Sequence, residues 1–139
     1  MKPPEQIKRE LVQQWVYKAN KDLDAARILL QSGPSMGGIV GFHAQQAAEK
    51  YVKAYLTWNQ IDFPKTHNIG ALIVLISGHN EELAERLKPA ILLSSYAVEG
   101  RYPADIPEIS NCEAEDALNL AETTRGLILA TLKSFLTVE

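Results

Sequence analysis

Between Phe42 and Leu56 the chain reads FHAQQAAEKYVKAYL, which sets a histidine, two glutamines and two lysines among alanines and aromatics. On a helix advancing about 100° per residue, these residues sort onto two sides. Val40, Ala44, Ala48, Tyr51, Val52, Tyr55 and Leu56 gather on one, and His43, Gln46, Lys50, Lys53 and Thr57 on the other. The chemistry open to the second group is anion recognition, because ammonium and imidazole groups donate charge-assisted hydrogen bonds to phosphate oxygens. At helical spacing His43 and Gln46 find no acidic partner, so Lys50 and Lys53 are expected to form a small patch of one sign. A solvated face opposite an apolar stripe is the plainer alternative.

Other candidates stand in loops. In FPKTHNIGALI, Thr66 is expected to cap a helix, and Lys65, His67 and the unpaired N–H groups of its first turn could hold an anion. The alternative is that His67 only orders the turn. Arg101 and Tyr102 precede Pro103 at a loop corner, where an arginine could grip a phosphate and a tyrosine stack on a base. Equally, Arg101 could neutralise a helix C-terminus and Tyr102 pack its ring. Asp22 and Asp24 read as an ion-paired surface with Lys18 and Lys21. No metal site is expected from them, and His79 in SGHNEE reads as a turn residue. SGPSMGG lacks the Lys-Ser/Thr ending of a phosphate loop, and no motif pairs a Ser or Cys nucleophile with a histidine. No cofactor is expected.

The elements that position these residues are helical. Leu11, Trp15, Ala19, Leu23, Ala26 and Leu30 recur every three or four residues, with Pro3 and Pro4 just ahead, where proline is tolerated. A second helix spans roughly 38–59, and a short apolar third opens near His67. A fourth covers EELAERLKPAILLSSYAVEG, where Pro89 starts a new helix or kinks a longer one. The last begins at Ser110 or Asn111 with Glu113 as capping-box partner, and its apolar period continues through Ile128, Leu132 and Phe135. Nothing alternates with a period of two over a useful length. The expectation is an all-α chain, an antiparallel up-and-down four-helix bundle with an additional short helix.

The 139 residues suit one domain, 1–139, with a single core. Apolar residues at 46% and charged residues at 22% have the balance of a soluble globular chain. No run is apolar enough to span a membrane and the start MKPPEQIKRE lacks a signal-peptide stretch, so a cytoplasmic location is expected. Cys112 has no second cysteine to pair with. A formal net charge of −3 provides no chain-wide field for nucleic acid, so such contact must be local.

WVYKANKDLDAARILL (15–30), FHAQQAAEKYVKAYL (42–56), FPKTHNIGALI (63–73) and YAVEGRYP (96–103), followed by the EAEDALNLAE helix, closely resemble the HEPN domain. The likeness covers nearly the whole chain, in order. It implies a bundle of four or five helices, usually homodimeric, that binds a nucleotide or RNA. It also implies action beside a small nucleotidyltransferase in a toxin–antitoxin or nucleotide-handling pair. Ribonucleases of the family carry an arginine followed a few residues later by a histidine. Here the arginines are 9, 27, 86, 101 and 125 and the histidines 43, 67 and 79, and no such pair occurs. Arg101-Tyr102-Pro103 is the nearest counterpart. The resemblance therefore implies a binding protein without the standard ribonuclease motif, in which His43, Lys50, Lys53 and Lys65 contact phosphate. His67, Arg101 and Tyr102 would position the ligand or be modified. A metal-independent ribonuclease with a degenerate site and a purely structural dimeric module are the alternatives.

Overall fold

The computed structural model describes residues 3–97 and 108–132. Five α-helices, α1 (Pro4–Gln31), α2 (Gly37–Trp58), α3 (Ile69–Ser77), α4 (Glu81–Leu87) and α5 (Asn111–Thr131), are joined by 3-10 segments at Pro34–Met36 and Lys88–Tyr96. Among the described residues there is no strand.

Residue pairs fix the directions. Asp22 meets His43, Asn20 meets Tyr51 and Lys8 meets Trp58, so α1 and α2 run antiparallel around the turn at Gly33. That turn needs φ +133°, a conformation that L side chains rarely adopt. α3 runs alongside α2 in the same sense, from His67 near Glu49 to His79 near Tyr55. α4 and the 3-10 segment return, bringing Tyr96 beneath Gly41. Finally α5 descends parallel to α2, from Ile109 at Gly37 to Arg125, which hydrogen-bonds Asn20. The result is the up-down-up-down order with α3 as the additional short helix.

α2 is the hub. Ala44, Ala47, Ala48 and Ala54 are buried, as are Ala114, Ala117 and Ala121 of α5, and these small side chains let the helices approach closely. Gly41 extends this principle: a Cβ there would lie 2.9 Å from Tyr96 Cγ.

The local signals divide. Ser110 and Glu113 form the reciprocal capping box, each accepting the other's backbone N–H. α3 is capped by Asn68, whose Oδ1 accepts from Ala71 N, whereas Thr66 accepts only from Asn68 N, in the turn before the helix. Pro89 stands in the first turn of a new helix, as one of the two alternatives had it, but that helix is 3-10 and not α: α4 stops at Leu87 and Lys88–Tyr96 follows. On α1, Val12 enters the core where Leu11 was expected, and Leu11 is exposed. No helix of the described residues is long and apolar enough to cross a membrane.

Candidate functional site

The polar stripe of α2 belongs to one hydrogen-bonded chain fed by α1 and by the loop before α3. Asp22 of α1 accepts from both ends of a two-turn span of α2, with His43 Nδ1 3.0 Å from Oδ1 and Lys50 Nζ 2.5 Å from Oδ2. Lys50 also donates to Gln46 Oε1 at 3.3 Å, and Gln46 donates to Gln45 Oε1 at 2.8 Å. Gln45 donates in turn to Glu49 Oε1 at 3.0 Å and to the carbonyl of His67 at 3.3 Å. Glu49 then accepts from Lys53 Nζ at 2.9 Å and meets His67 Nδ1 at 3.0 Å.

These partners correct the reading of the stripe as a patch of one sign. Lys50 and Lys53 each have a carboxylate, Asp22 from across the helix pair and Glu49 from one turn back. Asp22 is therefore paired with His43 and Lys50, while Asp24 pairs with Arg27 and Lys21 lies over the Tyr17 ring. The expected pairs with Lys18 and Lys21 are replaced because α1 turns Asp22 toward α2.

Burial then separates the two halves of the chain. Glu49 is only 2% exposed and Lys53 6%, and the Lys53 ammonium lies 5.5 Å from the Trp15 ring centre and 5.8 Å from that of Phe63. A buried pair of this kind holds only while both charges remain, because removing one leaves the other desolvated. Lys53 is thus a structural cation that fastens the 59–68 loop to α2, and it cannot reach a ligand without abandoning Glu49. At the other end, the His43 and Lys50 side chains are 27% and 21% exposed, open enough to meet a ligand while Asp22 fixes their positions.

A carboxylate can only accept, so Asp22 assigns the proton of neutral His43 to Nδ1 and leaves the lone pair on Nε2. Glu49 holds His67 by the same atom, and the His67 side chain is 48% exposed. Lys65 is exposed on the same loop. The structure thus brings His43, Lys50 and His67 onto one continuous network and leaves Lys65 beside it. Arg101 and Tyr102 lie outside the described residues.

Gln45 and Glu49 are the residues that reading the sequence for cations passes over. Their signal was present as the spacing Gln45, Glu49, Lys53, one helical turn at each step. Two grooves lie elsewhere: one of about 530 Å³ along α1, lined in part by Trp15 and Tyr17, and one of about 660 Å³ between the start of α1 and the end of α2 with its following loop, lined in part by Lys8 and Phe63. Neither is lined by His43 or Lys50. Among the described residues no group of His, Cys, Asp and Glu side chains is arranged to hold a metal ion.

A second polar cluster pins α1, α2 and α5 together. The Tyr51 hydroxyl donates to Asn20 Oδ1, Arg125 donates to the same oxygen at 3.3 Å, and Arg27 pairs with Glu122 at 2.8 Å. Burial pushes the Tyr51 hydroxyl up to about 12, with Arg125 opposing it. The residue is fully buried, and its role is to hold the bundle.

The family model of the HEPN domain matches residues 12–130, a span that includes every residue of the network. The chain belongs to the HEPN domain family. Two solved structures share the architecture of this HEPN domain. The crystal structure of ST0689, an archaeal HEPN homologue, is 21% identical with a TM-score of 0.66, over 87% of this chain and 97% of that one. The crystal structure of TT1696 from Thermus thermophilus is 26% identical with a TM-score of 0.67, over 84% of this chain and 94% of that one. No protein of curated function matches the chain. The HEPN fold accounts for the up-and-down bundle, and this chain carries the two carboxylate-anchored histidines on it.

Proposed function

We propose that this HEPN protein binds a nucleotide or a short RNA through the corner formed by Asp22, His43 and Lys50, and that it acts with a small nucleotidyltransferase in a two-component nucleotide-handling or toxin–antitoxin system. The observation that carries the binding reading is the convergence of His43 and Lys50 on one carboxylate. Lys50 is thereby fixed on a rigid helix with a third hydrogen left for phosphate oxygens, and His43 stands beside it, its imidazolium form donating to phosphate from Nε2. His67 and Lys65 extend the same surface, and Arg101 and Tyr102 are proposed to complete it as ligand-positioning residues. Lys53 supports the loop and does not touch the ligand.

The partner and the homodimer are proposed from what the resemblance to the family implies. The exposed apolar side chains Val74 and Leu92 give a second copy surface to cover. Without an arginine closely preceding a histidine, binding is favoured over RNA cleavage. The test has two parts. Equilibrium titration of the isolated protein with a nucleoside triphosphate and with short single-stranded RNA should show binding of at least one, without cleavage. Native mass spectrometry of the protein drawn from its host should show a nucleotidyltransferase subunit. Binding of neither ligand would remove the nucleotide reading, and a bare homodimer would remove the two-component one.

A further inference from the structure

We propose that His43 is a phosphoryl acceptor, its Nε2 the nucleophile, with Asp22 orienting the ring and Lys50 hydrogen-bonding the phosphoryl oxygens. The inference uses the corner already described but asks for a covalent step rather than binding. A neutral imidazole attacks phosphorus only through the nitrogen that bears its lone pair. Asp22 fixes that choice: its Oδ1, 3.0 Å from Nδ1, takes the proton-bearing nitrogen, and the lone pair is left on Nε2. The Phe42 ring packs edge-on against the imidazole with centres 5.2 Å apart, which limits its rotation.

In the step itself, the Nε2 lone pair forms a bond to phosphorus while the bond from phosphorus to the leaving group breaks, and the leaving group departs with that electron pair. The donor required is a phosphoramidate, acyl phosphate or nucleoside triphosphate. No proton leaves the ring, so the imidazole becomes cationic as the N–P bond forms. The carboxylate of Asp22, hydrogen-bonded to Nδ1–H, is placed to balance that charge. Lys50 donates to Asp22 and Gln46 and has a third hydrogen for the phosphoryl oxygens.

The other two histidines lack one part each. Glu49 holds His67 through Nδ1 in the same way, but the cation on that carboxylate, Lys53, is buried between Trp15 and Phe63 and cannot follow a phosphoryl group. His79 sets Nδ1 2.7 Å from the Tyr55 hydroxyl, a group that both donates and accepts and so does not reserve the lone pair for Nε2. They serve as internal references.

The experiment is incubation of the whole protein with phosphoramidate at neutral pH, followed by intact mass measurement and site mapping under conditions that preserve acid-labile N–P bonds. Expected is one phosphoryl group on His43, gained roughly tenfold or more faster than on His67 or His79. Asp22→Asn should slow it by roughly tenfold to a hundredfold, the usual cost of losing a carboxylate that orients a functional histidine. His43→Asn should abolish the fast phase. Equal labelling of the three histidines, labelling of none, or a folded Asp22→Asn protein labelled at the wild-type rate would overturn the proposal. If Asp22→Asn does not fold, the ratio of His43 to His79 labelling in the wild-type protein decides alone. Phosphoramidate carries no nucleoside, so a protein that binds nucleotide but leaves His43 unlabelled retains the binding function and loses only the acceptor.

Discussion

Asp22 Oδ1 lies 3.0 Å from His43 Nδ1, although the two residues sit on different helices and 21 positions apart in the chain. One carboxylate on α1 therefore sets both the direction in which α2 offers an imidazole and the position of the ammonium of Lys50. Glu49 repeats the arrangement deeper in the molecule, with His67 and Lys53. The outer set is open to a ligand and the inner set holds a loop, and this division leads to distinct expectations for variants of each.

Glu49→Gln should destabilise the fold by about 3–5 kcal/mol, because it strands the Lys53 charge among Trp15 and Phe63. Urea titration gives the value. Replacing both members, Glu49→Leu with Lys53→Met, should recover most of the loss, since a buried ion pair exchanged for apolar side chains of similar volume is often neutral. A double variant as unstable as the single one would show that the cost lies elsewhere than in the unpaired cation.

Tyr51 contributes to the alkaline limit, with Tyr55 and Tyr96, which burial also raises. Its hydroxyl ionises at an ordinary 10.0 in the unfolded chain and at about 12 in the buried site, so above 10 the folded state retains a proton that the unfolded state has lost. Stability is then complete below pH 10 and falls as pH rises toward 12. Tyr51→Phe should flatten that part of the stability profile while costing about 1–2 kcal/mol at neutral pH through the lost bond to Asn20. Chemical denaturation at several pH values between about 9 and 12 checks both; a slope unchanged by the substitution would assign the alkaline loss to other tyrosines.

Gly41 is the contact point between α2 and the end of the 3-10 segment. A methyl group there would press on the face of Tyr96, at 2.9 Å from Cγ, 3.2 Å from Cδ1 and 3.2 Å from Cδ2. Gly41→Ala should lower stability by about 1–3 kcal/mol despite alanine's better helix propensity. Pairing it with Tyr96→Leu should return part of that loss, and thermal melts of the three variants measure the coupling.

Ser110 begins α5 with both halves of its capping box formed. Ser110→Ala should cost about 1 kcal/mol, and Glu113→Ala should add little once Ser110 is gone, because the two bonds act as a unit. Additive losses in a double-mutant cycle would show that they act independently.

Legibility in the sequence followed the range of the interaction. The capping box of α5 and the alanine face of α2 could be read directly, because both are set by residues three or four apart. The helical class and the bundle followed from the same periods, and the family from motifs spread along the chain. Asp22 could not be read as a partner of His43, since its own helix offers Lys18 and Lys21 nearby and only the docking of α1 on α2 turns it elsewhere. Lys53 looked like a ligand-binding cation for a related reason. The wheel placed it beside Lys50, but Trp15 and Phe63, from another helix and a loop, cover it. The α3 cap was misplaced by two residues because Thr66 and Asn68 both carry capping side chains, and the backbone turn between them chooses Asn68.

Whether the corner at Asp22 receives phosphate through His43 and Lys50 while Lys53 is structural is tested most directly by isothermal titration calorimetry. A nucleoside triphosphate is titrated into the wild-type protein and into the His43→Asn and Lys50→Met variants. Both variants should bind roughly tenfold or more weakly, the worth of one charge-assisted hydrogen bond to phosphate, with thermal midpoints close to wild type. Wild-type affinity in both variants, or no binding by the wild-type protein itself, would contradict the assignment.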